Sequence, residues 1–278
     1  MRLILHIGTP KTATTTLQKF LYANRDVLAQ KGVALTECFG RTSNAGLTAI
    51  GLTAATDFDW YRQQSIVTRA ERQGCIDRMQ RKFRAEMAAL RRDAHTVIIT
   101  SESLYARLLD REAIARVLAL LATECDEIRV VAYFRELSAF RTSYASTWTK
   151  SARPGDISLM CRPGSPVFDY GLTMAQWADV FGQAALDCRL FDRALYPAGD
   201  IRRDFLAAAG LGDLTGLDFS GEDQNTAFGA LGLMLGQMVN RAVAREEEDG
   251  SFSLLRRRLM GKVIASPLSA LGPVATPD

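Results

Sequence analysis

Residues 8–17 read Gly8-Thr9-Pro10-Lys11-Thr12-Ala13-Thr14-Thr15-Thr16-Leu17, which places one lysine and the hydroxyls of Thr12, Thr14, Thr15 and Thr16 within a single turn of chain. An apolar run at 3–7 precedes this segment and a helical apolar pattern follows it. Its backbone N–H groups therefore fall at a helix N-terminus, where the first donors have no intrahelical partner and the helix dipole is positive. Backbone donors, hydroxyls and a cation gathered in this way form a cradle for a phosphate. Capping the helix would use only one hydroxyl, and threonine is a mediocre helix former, so capping alone does not account for the cluster.

The spacing differs from that of a nucleoside-triphosphate loop, G-x-x-x-x-G-K-[ST]. Lys11 follows Gly8 by three positions and no glycine stands directly before it. The apolar runs at Thr96–Thr100 and 128–134 lead into Ser101-Glu102 and Arg135-Glu136, with no aspartate placed for magnesium. A small-molecule kinase using ATP and magnesium is accordingly the alternative reading.

The elements that must position these groups follow from periodicity. The runs at 3–7, 96–100 and 128–134 read as buried strands, and 188–191 reads as a weaker fourth. Leu17, Phe20, Leu21, Val27 and Leu28 form one helical stripe. Ile76, Met79, Phe83, Met87 and Leu90 form a second, and Ile114, Val117, Leu118 and Leu121 a third. Strands alternating with helices predict an α/β fold, a three-layer α/β/α arrangement around a central parallel sheet. The arginines between 60 and 92, including Arg78, Arg81, Arg84, Arg91 and Arg92, read as a solvated helix face. The turns Arg153-Pro154-Gly155-Asp156 and Arg162-Pro163-Gly164 mark an irregular segment over 150–168. No repeat or composition break divides the chain, so one domain spanning 1–278 is expected.

Composition narrows the function further. The chain has 278 residues, 47% of them hydrophobic, and a net charge of only +3. That balance argues against nucleic acid held by bulk charge. Five widely spaced cysteines and the two histidines, His6 and His95, give no zinc-ligand spacing and no disulfide framework, so no metal is expected. The apolar N-terminal run is too short for a signal peptide, and no stretch is long enough to span a bilayer. These features lead to the expectation of a cytoplasmic protein.

The segment T-P-K-T-A-T-T-T-L-Q resembles the 5′-phosphosulfate loop of the sulfotransferases that use 3′-phosphoadenosine 5′-phosphosulfate (PAPS), a loop close to P-K-[ST]-G-T-T. A second motif supports the first. Val130-Val131-Ala132-Tyr133-Phe134-Arg135, with Ser143 eight residues after the arginine, is similar to the family's 3′-phosphate motif. The likeness extends to about residue 240. Two departures stand out: Ala13 replaces the usual glycine, and no R-K-G-x-x-G-D-W-K segment is present. Arg256-Arg257-Arg258 and Gly261-Lys262 are only a loose echo of it and read as a solvated basic helix.

The resemblance implies a P-loop-type nucleotide fold, transfer of a sulfuryl group from PAPS, and release of its desulfated form, PAP. It implies a cofactor site of Pro10, Lys11, Thr12, Ala13, Thr14, Thr15, Thr16, Arg135, Ser143 and Phe191, with Lys11 also neutralising the leaving phosphate. Phe191 reads either as the adenine platform or as strand-end core. Glu102 reads either as the general base for an acceptor hydroxyl or as a helix cap or arginine partner, and His6 is the rival base. Tyr144 and Trp148 are candidates to line the acceptor cavity. The acceptor, a small molecule or glycan, and the oligomeric state are not specified by these residues. A non-catalytic PAP-binding relative is a further alternative.

Overall fold

The computed structural model describes residues 1–151, 165–221, 228–247 and 252–272. The turns at 153–156 and 162–164, like Cys161, lie outside the described residues. The chain groups into two compact units. One joins Met1–Arg135 with Asp169–Glu222, and the other joins Glu136–Phe168 with Asp223–Asp278.

The first unit is built on five parallel strands: β1 (Arg2–His6), β2 (Val33–Leu35), β3 (Thr96–Thr100), β4 (Glu127–Phe134) and β5 (Leu186–Leu190). Their order is β2-β3-β1-β4-β5. β1 is therefore central, with His6 opposite Thr100 of β3 on one side and Val131 of β4 on the other. Both faces of β1 and β3 are covered, which is why Leu3, Ile4, Leu5, Val97, Ile98 and Ile99 are all buried.

Helices α1 (Thr14–Ala23) and α2 (Arg25–Gln30) follow β1. The single stripe expected over 17–28 is broken at Asn24, whose side chain donates to Phe20 O at 2.9 Å and Asp218 O at 2.9 Å. Between β2 and β3 come α3 (Ala45–Leu52), α4 (Asp59–Gln63) and α5 (Arg69–Leu90). Thr68 and Glu71 close a capping box on α5. Ile76, Met79, Phe83 and Met87 face inward along it, while Arg78, Arg81 and Arg84 are exposed. α6 (Glu102–Arg107) and α7 (Arg111–Leu121) connect β3 to β4. In the other crossover of this unit, α9 (Tyr170–Phe181) precedes β5 and α10 (Ile201–Ala208) follows it. On one sheet face Leu17, Phe20 and Leu21 of α1 and Phe205 of α10 share a core with Ile4, Ile98, Val131 and Tyr133.

The second unit is helical, with α8 (Leu137–Lys150), α11 (Ala230–Ala242) and α12 (Leu254–Ala265). Asn240 of α11 donates to Thr149 O at 2.9 Å, and Phe228 N–H donates to Ser146 Oγ at 3.0 Å. Arg256 corrects the expectation of a solvated basic helix. It is buried, its guanidinium donates to Asn240 Oδ1 at 2.8 Å and Lys150 O at 3.1 Å, and burial lowers its pKa. Arg257 and Arg258 remain exposed.

Candidate nucleotide site at the sheet edge

In an open parallel sheet, ligands bind beyond the carboxyl ends of the strands where the strand order reverses. Here that point is the end of β1, between β3 and β4. The loop after β1 adopts φ of +51° at Gly8, +69° at Lys11 and +58° at Ala13. Left-handed backbone at a residue bearing a Cβ costs about 1–2 kcal/mol, so packing must hold the loop in this shape.

Two buried threonines do so. Thr9 Oγ1 donates to Tyr133 O on β4, and Thr12 Oγ1 donates to Thr9 O at 2.7 Å. In the sequence Thr9 reads only as one more small polar residue. The hydroxyl of Thr12, which the sequence offers as a phosphate donor, is directed to Thr9 O.

Gly8 is the contact point of three elements. A Cβ at this position would lie 2.8 Å from Thr14 Oγ1 of α1 and 3.4 Å from the Glu102 Cα after β3. The missing side chain lets the start of α1 and the end of β3 approach the loop together.

α1 begins without a side-chain cap and has no acidic residue in its first turn. Its first N–H groups keep their positive field. Thr14 is 2% exposed, and its Oγ1 is buried without a hydrogen-bond partner among the described residues. Such a hydroxyl is costly unless a ligand or water meets it. Thr15 is exposed and Thr16 partly buried.

Glu102 opens α6 directly after β3. Burial raises its carboxyl pKa above the ordinary range, and the positive charge of Lys11 offsets part of that rise. Ser101, Ser103 and Thr48 form a hydroxyl chain beside it, with oxygen separations of 3.0 and 2.7 Å. This chain is not legible from local spacing, because Thr48 lies more than fifty positions upstream on α3. His6 is fully buried, its Nδ1 paired with Thr100 Oγ1 at 2.9 Å, and burial lowers its pKa to about 4. It packs edge-on against Tyr133 and Phe205 as a neutral core residue.

On the other side of β1, Arg135 leaves the end of β4 and Phe191 leaves the end of β5. Phe191 N–H donates to Phe134 O at 2.7 Å, and the Arg135 guanidinium carbon sits 5.8 Å from the Phe191 ring centroid. Tyr170 Oη donates to Arg135 O at 2.9 Å, fixing the backbone from which the arginine projects.

Ser143 belongs to the second unit, where it is a buried residue of α8. The N-terminus of that helix is capped by Glu136, whose carboxylate accepts from Ser138 N–H and Ala139 N–H at 2.8 Å each. Tyr144 and Trp148 of the same helix belong to an aromatic cluster with Phe140 and Phe168. Among the described residues no group of three or more His, Cys, Asp or Glu side chains is arranged to hold a metal ion. No helix of the described residues is long and apolar enough to cross a membrane.

No family model matches this chain. No curated protein matches it either. Among solved structures, a sulfotransferase from Alicyclobacillus acidocaldarius is similar, with 15% sequence identity and a TM-score of 0.49, over 80% of this chain and 85% of that one.

Proposed function

We propose that this chain is a sulfotransferase that binds PAPS and moves its sulfuryl group to an acceptor hydroxyl or amine. The observation that carries the reading is the buried, unpartnered Thr14 hydroxyl at the uncapped start of α1, beside a loop that carries Lys11. That donor set is matched to a phosphate oxygen. It fits the 5′-phosphate region of such a nucleotide, and Arg135 with Phe191 supplies a guanidinium fork and an aromatic face for the rest.

In this reading the N–H groups of residues 12–16 and the hydroxyls of Thr14, Thr15 and Thr16 bind the 5′-phosphate. Lys11 neutralises charge that develops on it, which is stabilisation by a preplaced cation. When bound, the nucleotide supplies an activated sulfuryl group. Arg135 holds the 3′-phosphate, and Phe191 packs on the adenine. Glu102, whose carboxyl pKa burial raises and the positive charge of Lys11 draws back, accepts the proton of an acceptor hydroxyl. The loop keeps its strained backbone throughout, so the donors need no rearrangement when the ligand arrives. Residues 1–278 act as one functional domain on a small-molecule or glycan acceptor. The free cysteines Cys38, Cys75, Cys125 and Cys188 suit a reducing compartment, which we take to be the cytoplasm.

A calorimetric titration with PAP in chelated buffer tests this. Metal-independent binding that Lys11→Ala and Arg135→Ala each weaken is the expected result, followed by sulfuryl transfer from labelled PAPS to an acceptor. Binding of ATP with magnesium in place of PAP would select the kinase reading. Tight PAP binding with no turnover on any acceptor would select a non-catalytic relative.

A further inference from the structure

β5 ends the sheet, with β4 as its one strand neighbour among the described residues. The Phe191 N–H points to β4, where it meets Phe134 O at 2.7 Å. Backbone groups alternate along a strand, so those of Arg189 and Asp187 also face β4. Those of Leu186, Cys188 and Leu190 face outward. Leu190 is 63% exposed and Cys188 is exposed. The strand has no proline, lysine or bulge of the kind that blunts an open edge.

Its sequence, Leu186-Asp187-Cys188-Arg189-Leu190, is self-complementary when read against itself in reverse. We propose that β5 is a homodimer edge, at which two copies of this chain pair antiparallel about a two-fold axis through Cys188. In that register Leu186 faces Leu190 of the second copy, and Asp187 faces Arg189 of the second copy twice over. The outward backbone groups of 186, 188 and 190 exchange about four ladder hydrogen bonds, because Leu190 O in each copy already accepts from Tyr196 Oη at 3.1 Å.

Charge fixes the register. A shift of the axis by one residue in either direction sets Asp187 against its own copy, or Arg189 against its own copy. Directly opposed like charges destabilise a sheet pair. Asp187 and Arg189 already belong to an ion network, Arg129–Asp187 at 2.7 Å and Arg189–Asp204 at 2.7 Å. The pairing continues this network across the axis. It also closes the exposed edge with one isologous contact, so assembly stops at the dimer. The proposal is independent of the nucleotide reading.

Sedimentation velocity of the full chain, run beside a thiol cross-linking assay, tests it. The chain is expected to sediment as a dimer at micromolar concentration. Leu190→Lys places a charge against Leu186 of the second copy and should raise the dimer Kd roughly tenfold or more. Cys188→Pro removes an outward N–H that the chain's own sheet does not use, and should act in the same direction. In an antiparallel hydrogen-bonded pair the facing Cα atoms lie about 5.5 Å apart, within disulfide reach. Diamide, which takes up the two protons and two electrons released, should therefore join two copies of a Cys161→Ser chain and should not join Cys161→Ser/Cys188→Ser. A monomeric mass for the unsubstituted chain overturns the proposal. So does a dimer that Leu190→Lys leaves intact, or one without a Cys188-dependent cross-link. Should Cys188→Pro lose its far-ultraviolet helix signal, the other two readouts decide.

Discussion

The Arg135 guanidinium carbon lies 5.8 Å from the centroid of the Phe191 ring, although the two residues leave different strands, β4 and β5. The ring supports the cation from one side, and the fork stays available to an anion. Phe191→Ala should leave the fold intact and raise the Kd for PAP roughly tenfold, a loss of about 1.4 kcal/mol. Arg135→Ala should raise it further, because it removes a charged donor itself. Calorimetry on both variants checks this, and unchanged binding in Phe191→Ala would remove the ring from the site.

Ala13 holds φ +58° and ψ +26°, a conformation that glycine adopts freely and alanine does not. Ala13→Gly removes that strain and adds some unfolded-state entropy. The net gain expected is about 0.5–1 kcal/mol in urea denaturation, with PAP affinity equal or better. Destabilisation by this substitution would mean that the Cβ of Ala13, which packs against the core beneath the loop, matters more than its backbone.

Glu102 gives a pH signature. Its folded pKa is raised, so between the unfolded and folded pKa values the native chain binds more protons than the unfolded chain. Stability contributed by this group is therefore present at low pH and lost as pH rises through the folded value. Glu102→Gln should melt higher than the unsubstituted chain near pH 8, and the difference should vanish toward pH 4. If Glu102 is the base, the same variant should lose about 10²–10⁴ of the transfer rate. A melting difference that grows on acidification would contradict the burial of this carboxyl.

His6 behaves in the opposite sense. Its pKa falls from 6.5 to about 4 on folding, so below pH 6.5 the unfolded chain takes up the proton first. Stability should drop as pH falls from 6.5 toward 4, by about 3 kcal/mol from this residue at the acid end. The charge-free variant His6→Leu should show a flatter pH profile over that interval. Equal slopes in the two chains would show that other groups carry the acid sensitivity.

Much of this arrangement is legible in the residues alone. Short apolar runs bounded by glycine, proline or polar residues marked β1, β3 and β4, because strands buried on both faces are apolar throughout. The lysine and threonines at the start of α1 are legible as a candidate anion cradle, because a helix cap needs only one hydroxyl. β2 is not legible because its three residues, Val33–Leu35, carry no period. The break at Asn24 depends on its bond to Asp218, which is distant in sequence. Arg256 reads as one of three like charges, and only packing against Asn240 decides which of them is buried. The same holds at the site. Lys11, Glu102 and Arg135 are each placed by their own strand end, but their assembly at one edge is set by the pairing of β1 with β3 and β4. Local sequence fixes caps, periods and the donors a turn can offer. Which donors share a ligand is decided by non-local strand pairing, and by the close approach that Gly8 permits.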